Sequence, residues 1–285
     1  MKKIESFFKH YFGGLSTRFG THHTFLFSGG LAFSLFTCII PLVLILFWIL
    51  GNFLNYKEIE LQIITIINTI IPYNDYANFT KDIVLNSVND VIKIKALAGI
   101  LGILGLFFAA SGFFRNVRTI LNKINGTDKS INIIIGKLRD FLAILSAILL
   151  FSISVLIFPI LEVLKSIAVN TPYLQFLNTV IFKNTLTILF PLLLIFVICF
   201  ILYTFIPTVK IQKKSALVGA FWTSLLWVSA KTVFGYYLSN FQTWGIIYGV
   251  YALLIVIAFW IYFTSALFII GAEIAKLFDE RLSVS

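Results

Sequence analysis

The chain has 285 residues, of which 59% are hydrophobic and only 12% charged. Soluble globular domains average about half apolar and about a quarter charged, so a water-soluble domain is excluded. The two cysteines, Cys38 and Cys199, each lie inside an apolar run and exclude a disulfide-stapled secreted scaffold. The formal charge of +10 does not by itself imply a nucleic-acid partner, because Lys and Arg gathered on one membrane face are expected of any multi-span protein.

In chain order, residues 1–28 form the first segment. Ile4, Phe7, Phe8, Tyr11, Phe12, Leu15 and Phe19 recur at helical spacing with Lys2, Lys3 and Lys9 among them. Two readings stand: an amphipathic helix on the cytoplasmic leaflet, its basic residues against anionic lipid head groups, or the same stripe packed on the helical bundle. No cleavable signal peptide is expected, since the first apolar run starts late and is too long for an h-region.

Residues 29–285 read as one membrane domain. A span needs about 20 apolar residues to cross about 30 Å of hydrocarbon, and six runs qualify: Gly29 to Leu54, Ala96 to Phe114, Leu138 to Leu161, Leu186 to Ile206, Ser215 to Leu238 and Trp244 to Gly271. They are continuous rather than alternating, which predicts helices and not barrel strands. The expected fold is therefore an all-α bundle of six transmembrane helices. The long first loop, Asn55 to Lys95, carries two further helical stripes, Ile59 to Ile70 and Ile83 to Ile92, both too short to span. No internal repeat is visible.

The Lys and Arg distribution sets the orientation. Lys2, Lys3, Lys9, Arg18, Arg115, Arg118, Lys123, Lys129, Lys137, Arg139, Lys210, Lys213, Lys214, Lys276 and Arg281 fall on one side, and Lys57, Lys81, Lys93, Lys95, Lys165 and Lys183 on the other. By the positive-inside rule the richer side is cytoplasmic. Both termini then lie inside, as an even number of spans requires.

Enzyme signatures are absent. The histidines are confined to His10, His22 and His23, and adjacent residues of a helix point about 100° apart, so His22 and His23 are poorly placed to chelate one metal. No metal-protease, phosphate-loop or nucleophile-elbow motif occurs. A hydrolytic nuclease would need a carboxylate or histidine cluster holding a divalent metal, so no enzymatic activity, cofactor, metal or nucleic-acid partner is expected.

Lys231 stands inside the fifth span. With Ser224 and Gly235 at i−7 and i+4 it marks one helix face. That face is either an inward polar stripe or a place from which Lys231 snorkels to the interface. Glu162, near the outer end of the third span, is a candidate partner for it. Arg115 and Glu273 fall at equal depth at the inner rim, where they either pair or stand as solvated end-of-helix charges. Ala98, Gly102, Gly105, Ala109 and Gly112 in the second span, and Gly30, Ser34 and Cys38 in the first, predict packing seams. Pro41, Pro159 and Pro191 interrupt three spans.

Four stretches carry a family resemblance: LAFSLFTCIIPL (Leu31 to Leu42), FAASGFFRNVRTILNKI (Phe108 to Ile124), Pro207 to Tyr237 and Ile247 to Ile274. In these the chain resembles the YihY family, also called the virulence factor BrkB family, whose older name is ribonuclease BN. Pro207, Gly219, Ala220, Lys231, Tyr248, Gly249, Trp260, Gly271, Ala272 and Glu273 fit the family pattern, whereas Ser34 stands where an aromatic residue is usual. The resemblance implies a six-span inner-membrane protein with an envelope function, moving lipids or small solutes. Its partners would be membrane lipids, with a homo-oligomer or an envelope protein also compatible. The competing reading is an envelope scaffold that transports nothing.

Overall fold

The computed structural model describes residues 13–53, 81, 95–127, 135–146, 180–209, 211–240 and 250–284. Among them are seven helices and no strand: α1 (Gly14–Thr21), α2 (Thr24–Phe53), α3 (Lys95–Ile124), α4 (residues 135–146), α5 (Val180–Phe205), α6 (Lys213–Asn240) and α7 (Val250–Val284). An apolar chain without water must pair every backbone group within its own segment, and helices do so.

Four helices hold stretches long and apolar enough to cross a membrane: Thr24–Leu46, Ala96–Ile124, Lys213–Leu238 and Leu254–Ser283. The shortest of these, at 23 residues, extends about 35 Å at 1.5 Å per residue. Within α5 the apolar stretch Leu189–Phe205 is shorter. Large apolar side chains cover the outside, with Phe108 83% and Leu26 72% exposed, a surface suited to acyl chains and costly in water. Of the third expected span only the part within 135–146 is described. The first twelve residues, both stripes of the first loop, Pro159 and Glu162 lie outside the described residues.

The helices run further than the apolar runs alone suggest. α2 starts at Thr24 rather than Gly29, α3 continues past Phe114 to Ile124, and α7 continues past Gly271 to Val284. Hydropathy marks where a helix meets the lipid, whereas capping decides where it stops. At the end of α3, Gly126 takes φ +69°, a left-handed conformation cheap only for glycine. There the N–H groups of Asn125, Gly126 and Thr127 return to the carbonyls of Leu121, Lys123 and Asn122.

The chain forms two compact units. One takes the described residues of Met1–Leu31, Phe114–Tyr236 and Phe263–Ser285, the other those of Ala32–Phe113 and Tyr237–Tyr262. In the second unit, a Cβ on Gly102 would meet Ile45 and the Pro41 carbonyl at 2.8 and 3.1 Å, and one on Gly105 would meet Pro41 at 3.3 Å. The expected small-residue seam of α3 is thus a close approach to α2 at these two glycines, while Gly112 and Gly30 have open space beside them. Pro41 and Pro191 sit inside α2 and α5, which continue through them.

The first unit has a core of Val117, Ile120 and Leu121 from α3, Tyr203 from α5, Ala216 and Ala220 from α6, and Ile269 and Ala275 from α7. At one end of it several polar contacts gather. Asn122 donates to Thr208 Oγ1 and accepts from the Thr208 N–H, both at 2.8 Å. Asp279 of α7 accepts from Ser215 Oγ at 2.9 Å and from the Gln212 N–H at 3.3 Å. That carboxylate satisfies donors left open where α6 begins.

Candidate functional site

Arg18 and His22 stand four residues apart, so they share one face of α1 and its C-terminal cap. The helix closes at His22, whose N–H returns to the Arg18 carbonyl at 2.9 Å, and the chain then turns sharply through His23 at φ 49°. This corner points both side chains at α7, where Glu273 and Glu280, seven residues apart, share one face.

Glu273 is completely buried. Its Oε1 accepts from His22 Nδ1 at 2.6 Å, and its Oε2 accepts from Arg18 Nη1 at 3.3 Å. The other arm of the Arg18 fork, Nη2, donates to Glu280 Oε2 at 2.6 Å. A carboxylate withdrawn from water is tolerated only with such partners, and here one guanidinium and one imidazole supply them. Gly14 allows this contact: a Cβ there would meet Leu277 Cδ2 at 2.9 Å. Phe19 packs on Phe25 with ring centroids 5.8 Å apart. Over Gly14–Thr21, therefore, the N-terminal segment packs on α7, while Ile4 to Phe12, most of its apolar stripe, lie outside the described residues.

A second polar knot lies deeper. Tyr203 Oη donates to the Phe268 carbonyl at 2.6 Å and lies 2.9 Å from Thr223 Oγ1, which donates to the Gly219 carbonyl at 2.8 Å. Here α6 and α7 approach backbone to backbone. A Cβ on Gly219 would stand 2.6 Å from the Gly271 carbonyl, and one on Gly271 would clash with Thr223 Oγ1 and Tyr203. One turn further along α6, Trp227 Nε1 donates to Thr264 Oγ1 at 3.3 Å. Beside the knot a cleft of about 10 Å³, lined by Leu121, Tyr203, Pro207, Ile211 and Ala272 among others, has room for about one water.

The residues singled out from the sequence fall as follows. Glu273 is a buried ion-pair centre, but it does not meet Arg115, which is exposed on α3. Ser224 is fully buried and donates to the Phe221 carbonyl at 2.9 Å. Lys231, two turns on, is exposed, as is Gly235, so the three do not share one environment. Glu162 lies outside the described residues. Arg18, His22 and Glu280 went unrecognised as a group. The available signal was the match between a basic pair at i, i+4 near one end of the chain and an acidic pair at i, i+7 near the other. Among the described residues no three of His, Cys, Asp and Glu come together as ligands for a metal ion.

A family model described as Virulence factor BrkB matches residues 15–284. Among curated proteins, the UPF0761 membrane protein YihY of Salmonella paratyphi B is 41% identical over 104 residues. The proteins of the same name from Escherichia coli O1:K1 / APEC and Shigella boydii serotype 18 are each 39% identical over 104 residues. These alignments cover 36% of this chain and 35% of each relative, so the chain matches about a third of the relatives' length. All three are named as membrane proteins and none as an enzyme, which gives the ribonuclease name no support. No solved structure matches.

Proposed function

The chain belongs to the virulence factor BrkB family, and from that premise we propose that it is a multi-pass protein of the bacterial inner membrane that moves a small or lipid-like substrate across or within the bilayer. It would cross six times, with both termini cytoplasmic. Arg18 of α1, the Asn122 end of α3, the Thr208 connection and the Glu280 end of α7 lie at one end of the first unit. This supports an even number of crossings between them, and the positive-inside rule supports that end as the cytoplasmic one.

The observation that carries the reading is Glu273. It is an ionisable side chain with no exposure, inside a helix apolar enough to span a membrane, and its partners come from a separate element. Ionisable side chains within a membrane-spanning helix are costly, face the bundle interior or a watery cavity, and are read first as functional sites. On this reading Glu273 and Arg115 belong to the inner rim, and Lys231, with Ser224 on its helix and Glu162 as its candidate partner, supplies the charge along the path.

The test is reconstitution of the purified chain in liposomes with fluorescent phosphatidylglycerol, following loss of the outer-leaflet signal to dithionite. Wild-type vesicles should exchange lipid faster than protein-free ones. Glu273→Gln and Lys231→Ala should each slow the exchange by about tenfold, equivalent to about 1.4 kcal/mol in the barrier, with unchanged incorporation. Exchange no faster than in empty vesicles would favour the second reading, a non-transporting envelope scaffold. The bonded, backbone-close contact of α6 with α7 suits that role also.

A further inference from the structure

Away from Glu273, three guanidinium groups from α3 and the start of α4 come together. Arg115 and Arg118 lie one turn apart on α3, and the charges of Arg115 and Arg139 both act on Arg118. Arg118 Nη2 is ion-paired with Asp140 and also donates to the Gly136 carbonyl at 3.1 Å. Among the described residues Asp140 is the one acidic side chain bonded to any of the three, so the group holds an excess of positive charge.

Two of its donors are unmet. Arg118 Nε and Arg139 Nη1 are buried without a hydrogen-bond partner. Buried cationic donors are rarely left without an acceptor, and a donor lacking one points to a missing anion or water. Arg139 is half-buried and Arg115 exposed, so an anion can reach the cluster from the surface. The surface beside it is greasy. Ile135 and Leu142, at i−4 and i+3, share the Arg139 face of α4 and flank Leu138, and the three are 49%, 56% and 58% exposed.

We propose that Arg115, Arg118 and Arg139 form a binding site for the phosphate of an anionic phospholipid, whose acyl chains lie along Ile135, Leu138 and Leu142. Guanidinium forks match phosphate oxygens in pairs, and a headgroup oxygen at the Arg139 edge supplies the acceptor that the cluster lacks. A free phosphate would answer the charge and leave the apolar strip uncovered, whereas a phospholipid answers both. The site holds whether or not the protein moves anything, so its failure would not touch the transport reading.

Native mass spectrometry of the purified full chain in detergent tests it, with phosphatidylglycerol, phosphatidylcholine and inorganic phosphate as separate probes. Phosphatidylglycerol should bind saturably and about tenfold or more tighter than phosphatidylcholine, and millimolar inorganic phosphate should not displace it. The double variant Arg115→Gln/Arg139→Gln should lose that preference, while Lys213→Gln, an exposed charge on α6, should keep it. Independently of any variant, phosphatidylglycerol but not phosphatidylcholine should slow modification of Arg139 by phenylglyoxal in the wild-type chain, mapped by peptide mass. Equal affinity for both lipids, an unchanged preference in the double variant, displacement by inorganic phosphate, or unprotected Arg139 would each overturn the proposal.

Discussion

Removing Arg18 would leave the Glu273 carboxylate buried against His22 alone. Breaking a buried ion pair from one side costs about 3–5 kcal/mol, and the lower end applies here because Arg18 keeps a partly solvated edge. Arg18→Ala should therefore lower stability by about 3 kcal/mol, read as a fall in the thermal midpoint of the purified protein in detergent. Arg18→Lys should recover only part, since an ammonium cannot hold Glu273 and Glu280 at once through a planar fork. Glu280→Ala should matter less, because its side chain is 42% exposed and pairs reached by solvent contribute about 1 kcal/mol or less. An unchanged midpoint in Arg18→Ala would mean that Glu273 finds its stabilisation elsewhere.

The same residues show how far a sequence reaches. That Glu273 matters could be read from its position just past a long apolar run. Its partner could not, because depth along a helix says nothing about which of several cations at that depth faces it. Arg115 and Arg18 were equally eligible, and what selects Arg18 is the His22–His23 corner together with Gly14, which let α1 lie against Leu277. For Lys231 the face relation to Ser224 was sound on an ideal helix. Yet burial changes along α6, and two turns separate a buried hydroxyl from an exposed amine.

At the scale of the elements, the seam of α6 and α7 rests on Gly219 and Gly271. Each lies where a methyl group would strike the backbone or a bonded side chain of the other helix. Gly271→Ala should cost about 1–3 kcal/mol through overpacking and break the Tyr203 and Thr223 hydrogen bonds. Gly235→Ala on α6, with open space beside it, should be neutral or stabilise by up to about 1 kcal/mol. Thermal midpoints of the two variants give the comparison, and similar shifts would show that the seam does not depend on close backbone approach. Small residues at such a spacing are visible in any sequence, but whether a helix occupies the groove is not. Gly102 and Gly105 meet a neighbour, whereas Gly112, on the same predicted stripe, does not.

For the whole molecule, apolar run length was the strongest signal. It anticipated the all-helical class and, among the described residues, four helices long and apolar enough to span, because the lipid allows few other ways to satisfy a backbone. Helix ends escaped it, since α3 and α7 both extend well beyond the greasy stretch through caps and polar contacts. The proposed topology makes a direct prediction. Thr127→Cys and Ser283→Cys should resist a membrane-impermeant maleimide in intact spheroplasts and react after lysis, whereas Lys81→Cys should react in both. Labelling of Thr127→Cys in intact spheroplasts would reverse the orientation.

The joint between α6 and α7 also limits how this protein can change shape. With carbonyl oxygens seated at glycines and a tyrosine bridging the two, the pair has no slack in which to slide and travels as a single stiff piece. Lys231 and Glu273 stand on the two helices so joined, and their backbones keep one separation while the joint holds. The grip of Arg18 and His22 on Glu273, by contrast, is made of side chains and can be released and regained without disturbing that joint.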